Sequence, residues 1–182
     1  MKSAEPSLVD KILTLDLAFA GAGIEHAFGG ALALAFYTRE PRATADIDVN
    51  VALDSTDVGR VFEALPAPIT YGPVEFEKVR KDDQVRLWWG RTPIDLFFRA
   101  SAFHDGVAAR SVRHPFAGLH LPFLSADDLA VFKALFDRPK DWIDIQAMND
   151  AGAVDLQVVA DTLRSLVGED RRVERMRALA EE

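Results

Sequence analysis

The sequence predicts an α+β protein, with a mixed α/β front over residues 1–124 and an all-helical back over residues 125–182. Three observations carry this expectation. An acidic, apolar-alternating run, Asp46-Ile47-Asp48-Val49-Asn50-Val51, reads as a half-buried strand. Two further apolar runs, Val85–Trp89 and Ile94–Phe98, flank the turn residues Gly90 to Pro93 and read as an antiparallel hairpin. From Ser125 onward the pattern reverts to helical spacing.

Taken in order, Leu8, Ile12, Leu15 and Phe19 form the stripe of an amphipathic helix, with Ser7 placed to cap it. Ile24 to Phe28 is short enough for a buried strand, and Gly29-Gly30 allows a tight turn into a helix over Ala31–Phe36, closed by Pro41. The acidic strand runs from Asp46 to Leu53. A helix over Thr56–Leu65 ends before Pro66 and Pro68. After Tyr71 the texture turns to alternation, with Val74, Phe76 and Val79 leading into the hairpin.

Ser125, with Asp128 three residues on, has the pattern of a capping box before the helix Leu129–Phe136. Pro139 opens another, ended by Gly152. Helices from about 155 to 167 and from about 169 onward complete the chain. No glycine- or serine-rich linker parts front from back, so the two are expected to pack as one unit.

Composition narrows the function classes. The chain contains no cysteine, which removes disulfides, thiolate metal sites and cysteine nucleophiles, and fits a cytoplasmic protein. Asp10, Lys11 and Asp16 interrupt the apolar stretch that a secretion signal needs, and no run is long enough for a membrane span. A net charge of −8 disfavours an extended nucleic-acid footprint. Against that average, Lys78 to Arg113 is net positive, with Lys78, Arg80, Lys81, Arg86, Arg91, Arg99, Arg110 and Arg113 facing Asp82, Asp83, Asp95 and Asp105. That segment reads equally as a solvated hairpin surface or a polyanion-binding strip.

The chemistry concentrates on carboxylates. In a strand, Asp46 and Asp48 point to one face while Ile47, Val49 and Val51 point to the core. Two carboxylates side by side repel unless a cation sits between them. Asp95 is the one acid inside Ile94–Phe98, where an unpaired charge is costly to desolvate, so it needs a cation unless it is an edge-strand charge facing water. If its strand pairs beside the acidic one, three carboxylates converge: two to hold metal, one to accept a proton. Gly29-Gly30 is either a plain turn or a turn that brings backbone N–H groups to a triphosphate. His26, His104, His114 and His120 are scattered, with no two at zinc-ligand spacing. Of Trp88 and Trp89, one should be core and the other is free to stack a base.

The order Gly29-Gly30, helix, then Arg42-x-Thr44-x-Asp46-Ile47-Asp48 resembles the polymerase-β-like nucleotidyltransferases, in particular the AbiEii and MenT-type toxins of bacterial toxin–antitoxin pairs. A second anchor is Lys133 followed by Arg138-Pro139-Lys140-Asp141-Trp142-Ile143-Asp144, similar to the tail motif of those proteins. The resemblance implies a mixed sheet with flanking helices and a C-terminal helical bundle. It implies Mg2+ held by Asp46, Asp48 and Asp95, and nucleotide contacts from Gly29, Gly30, Arg42, Thr44, Lys133, Lys140 and Asp141. It also implies an NTP substrate, an RNA 3′ end such as tRNA as acceptor, and an antitoxin partner. Ala31 stands where many relatives place serine after glycine, which makes the antibiotic-modifying branch a poorer match. A protein or small-molecule acceptor, and a non-catalytic module that kept the fold, remain the alternatives.

Overall fold

The acidic run does form a strand, and it lies at the centre of a six-stranded mixed sheet. The computed structural model describes residues 5–39 and 43–181. In chain order the elements are α1 (Leu8–Gly21), β1 (His26–Phe28), α2 (Gly30–Leu34), β2 (Ile47–Asp54), α3 (Val58–Ala64), α4 (Pro73–Asp82), β3 (Gln84–Trp89), β4 (Thr92–Arg99) and α5 (Ala102–Asp105). There follow β5 (Val112–Phe116), β6 (Leu119–Phe123), α6 (Ala126–Phe136), α7 (Pro139–Asp150), α8 (Leu156–Val167) and α9 (Arg171–Ala180). The strand order is β3-β4-β2-β1-β6-β5. β2 runs parallel to β4, and β1 parallel to β6; the other neighbours are antiparallel.

Contacts divide the chain into two units, the first comprising residues up to 29 with 43–123, the second 30–42 with 124–182. The first is built on the sheet. Ile47, Val49, Ile94, Leu96, Leu87 and Trp89 are all buried, as the alternation of their strands requires. α1 is fixed by a capping box in which the Ser7 hydroxyl accepts from the Asp10 amide and the Asp10 carboxylate accepts from the Ser7 amide. Lys11 is buried on this helix. Its ammonium donates to Glu5, to the Trp89 carbonyl at 2.9 Å and to the Thr92 hydroxyl at 2.9 Å, which ties α1 to the β3–β4 turn.

In the second unit, α6 packs against α2, α7 and α8, and α8 against α9. The Ser125 hydroxyl accepts from the Asp128 amide, as its spacing predicts. α7 starts with Pro139 in its first turn, where a missing N–H costs nothing. Asp155 and Asp170 cap α8 and α9 through their side chains. Among the described residues no helix is long and apolar enough to cross a membrane.

Three expectations change. Residues 73–82 form a helix rather than an alternating segment: Phe76 and Val79 are one helical turn apart, Phe76 packs edge-on to Phe62, and Val74 points to water. The Glu75 carboxylate accepts from the Gly72 amide and Pro73 sits at the helix start, both strong start signals. The hairpin β5–β6 was not foreseen; its turn, Ala117-Gly118, has both residues at positive φ, and Pro115 is tolerated because β5 is an edge strand. The acidic strand starts at Ile47, with Asp46 just ahead of it, and Pro41 lies outside the described residues.

Candidate active site on the β3–β4–β2 face

Strand register brings the carboxylates to one place. Asp48 on β2 is the direct partner of Asp95 on β4, and Asp95 is in turn the direct partner of Arg86 on β3. Register partners project from the same face of a sheet, so acid, acid and guanidinium form a row across three strands. Their neighbours Ile47, Val49, Ile94 and Leu96 project the other way into the core. Asp46 joins the row from just before β2.

Arg86 binds this row closely. Its Nε donates to Asp95 Oδ1 at 2.8 Å and its Nη2 to Asp95 Oδ2 at 2.6 Å, a fork-to-fork pair, while Nη2 lies 3.6 Å from Asp46. The hydrogen bonds to Asp95 come first among the causes that raise the Arg86 pKa, followed, against the opposing pull of desolvation, by the negative charges of Asp95, Asp46 and Asp48. The Asp95 side chain is 17% exposed and those of Asp46 and Arg86 44% and 49%, so the row opens to solvent.

Thr44 braces the approach to this strand. Its hydroxyl accepts from the Asp46 amide at 3.2 Å and lies 3.3 Å from the Asp46 carbonyl, closing a local loop that sets where Asp46 points. Gly29 is buried, and its amide donates to the Asp48 carbonyl at 2.9 Å. Gly30, which opens α2, has φ of 55°, a left-handed conformation that favours glycine. Arg42 lies outside the described residues.

In the second unit, Lys133 and Asp141 come together and Lys140 does not join them. Lys133 and Asp144 are both buried, their side chains 6% and 9% exposed, and the ammonium donates to Asp144 Oδ2 at 2.7 Å and lies 3.9 Å from Asp141. Asp141 is fully buried and accepts from Arg138 Nε at 2.6 Å. Lys140 is on the exposed side of α7.

No family model matches the chain, and no curated protein matches it in sequence. Solved structures do match in shape. The crystal structure of ANT(2'')-Ia in complex with adenylyl-2''-tobramycin superposes with a TM-score of 0.57 at 15% identity, covering 87% of this chain and 95% of that one. The solution structure of the same antibiotic-resistance factor gives 0.52 at 15% identity, over 93% and 89%. The lincomycin-bound lincosamide antibiotic adenylyltransferase LnuA gives 0.53 at 14% identity, over 81% and 99%. The chain has the nucleotidyltransferase fold. At this identity the likeness establishes architecture and leaves the chemistry to the residues.

The open face of this fold carries side chains of the donor type that a divalent cation takes. Carboxylate oxygens are the donors that Mg2+ takes, and a monovalent cation already lies against two of the acids. Among the described residues no three acidic or histidine side chains are drawn together tightly enough to hold an ion as they stand.

Arg86 is the residue that sequence reasoning missed, although the signal was present. A two-residue turn at Gly90-Arg91 puts Arg86 opposite Asp95 by simple counting along the two strands. The same count puts Trp88 on the site's face, where it is 53% exposed, and Trp89 in the core at 5%. No metal-binding histidine pair is needed, and His26 instead bonds Asp16 and the Ile24 carbonyl.

Proposed function

We propose that the protein is a metal-dependent nucleotidyltransferase that moves a nucleoside monophosphate from an NTP to an RNA 3′ end, with tRNA as acceptor, acting as the toxin of a toxin–antitoxin pair. The observation that carries the transfer chemistry is the register Asp48–Asp95 with Asp46 alongside: paired carboxylates on the open face of a nucleotidyltransferase fold. The RNA acceptor, the toxin role and the antitoxin partner rest on the AbiEii and MenT-type resemblance of the glycine, acidic and tail motifs.

In this reading Asp46, Asp48 and Asp95 hold Mg2+, which when bound supplies positive charge to the triphosphate. The acceptor hydroxyl attacks the α-phosphorus in line, its proton passes to the Asp95 carboxylate, and the bond to the β-phosphate breaks to release pyrophosphate. Thr44 keeps Asp46 turned toward the site. Gly29, Gly30, Arg42, Lys133, Lys140 and Asp141 are assigned to the nucleotide by the resemblance; Lys133 and Asp141 are buried in an ion-pair cluster of the second unit and take no part in this step. Trp88, exposed on the same face, is suited to stack a base.

A second reading keeps the chemistry and changes the acceptor to a small molecule. One observation favours it: basic side chains of the 78–113 segment are matched by carboxylates, Arg80 by Glu77, Arg86 by Asp95, Arg91 by Glu5, and Arg99 by Asp54 and Asp105. Charges already neutralised give little counterion release on RNA. ANT(2'')-Ia with its adenylylated tobramycin has the same fold.

The test is incubation with each α-labelled NTP and Mg2+, with total cellular RNA in one arm and an extract of small metabolites in the other, beside Asp46→Ala/Asp48→Ala. Label entering RNA, steeply lost as salt rises, supports the first reading; label entering a small molecule with little salt dependence supports the second. No label in either arm, or equal label from the double variant, overturns the transfer reading.

A further inference from the structure

We infer that Arg86 is a built-in counter-cation that competes with divalent metal for Asp46, Asp48 and Asp95, so that metal loading displaces its guanidinium from Asp95. This rests on the reading of those acids as the metal site. Three observations carry it. The register puts Arg86, Asp95 and Asp48 in one row on three adjacent strands, so the guanidinium lies against the acids assigned to the metal in the proposed function. Both Asp95 oxygens accept from Arg86, so their inner lone pairs already face a cation. Half of the Arg86 side chain is open to water on the edge strand β3, so it can swing away without breaking the core.

The physical consequence is an exchange of one cation for another. Without metal, the guanidinium offsets repulsion among the three carboxylates. With metal, two positive groups crowd the same oxygens, and the longer, half-hydrated one leaves. Asp95 becomes free to ligate or to take a proton only after that exchange. Metal affinity in the resting protein is therefore held down by Arg86.

The measurement is Mn2+ binding to the full chain, read as loss of the free-ion electron paramagnetic resonance signal, for wild type, Arg86→Gln and Arg86→Lys without nucleotide. Expected is tighter Mn2+ binding by Arg86→Gln, by roughly fivefold, as removal of a half-exposed ion pair allows. Arg86→Lys keeps the charge without the fork and should fall between the two. Melting without metal should also drop for Arg86→Gln and be restored by Mg2+. Equal or weaker Mn2+ binding by both variants overturns the inference while leaving the acids as a metal site. Absence of Mn2+ binding by all three proteins overturns the metal reading and this inference with it. Tight Mn2+ binding without nucleotidyl transfer by any of the three removes the transfer reading alone.

Discussion

Arg86 and Lys133 are both cations held by carboxylates, and they differ in how much water reaches them. Lys133 is sealed with Asp144 and Asp141 among the C-terminal helices, where every charge must be matched because solvation is gone. Arg86 sits on an open sheet face with Asp95 and Asp46, where water already screens the charges. A buried ion pair is part of how its unit folds. A row of acids open to solvent adds little to folding, and the proposed chemistry is placed on the β3–β4–β2 face rather than on the more tightly bonded helical cluster.

The largest contrast comes from removing one charged partner from each cluster. Asp144→Ala leaves a buried ammonium without its nearest partner and should cost about 3–5 kcal/mol by urea denaturation, whereas Arg86→Ala should cost about 0–1 kcal/mol. Equal losses would erase the distinction. The two tryptophans repeat the contrast within one strand: Trp89→Ala should cost about 3–5 kcal/mol through the cavity it leaves. Trp88→Ala should leave the melting temperature nearly unchanged while raising KM for the base-bearing substrate in a transfer assay.

Smaller effects sharpen the picture of how each unit is pinned. Ser125→Ala removes the cap of α6 and should cost about 1 kcal/mol in the same denaturation measurement. The mildest case is Glu5, whose pKa is pulled from its ordinary 4.5 to about 2, first by the hydrogen bond from Lys11 and then by the Arg91 amide. A carboxylate with a depressed folded pKa contributes stability above its unfolded value and loses it as pH falls toward the folded one. The melting difference between wild type and Glu5→Gln should therefore be constant at neutral pH and shrink between 4.5 and about 2. A difference that grows as pH falls would reverse the sign of that contact.

What the sequence made legible follows from how local each signal is. The Ser7 and Ser125 caps, the alternation of Ile47, Val49 and Val51, and the Gly90 turn lie within a few residues of what they control, and each is realised. The adjacency of β2 and β4 was the non-local step, offered only as a condition from Asp95, the one acid in its apolar strand, beside the pair Asp46 and Asp48, and the two strands do pair. Val74 misled because an exposed valine two residues from Phe76 mimics strand alternation, while Pro73 and Glu75 carried the true helix signal. β5 and β6 stayed hidden because Pro115 and Pro122 argue against strands: Pro115 is tolerated on the edge strand β5, while Pro122 lies on β6 between β1 and β5. The pairing of Lys133 with Asp144 was invisible because two helices had to dock first; the tail motif named the residues without their burial.

In the proposed function the acids of the open face do chemistry rather than hold the fold. Asp48→Asn changes one oxygen to an amide and leaves shape and strand pairing intact, so one preparation can be assayed for label transfer from α-labelled NTP with Mg2+ and for melting temperature. The expected result is transfer reduced by about 100-fold or more at an unchanged melting temperature. Full transfer by a folded Asp48→Asn protein would contradict the account.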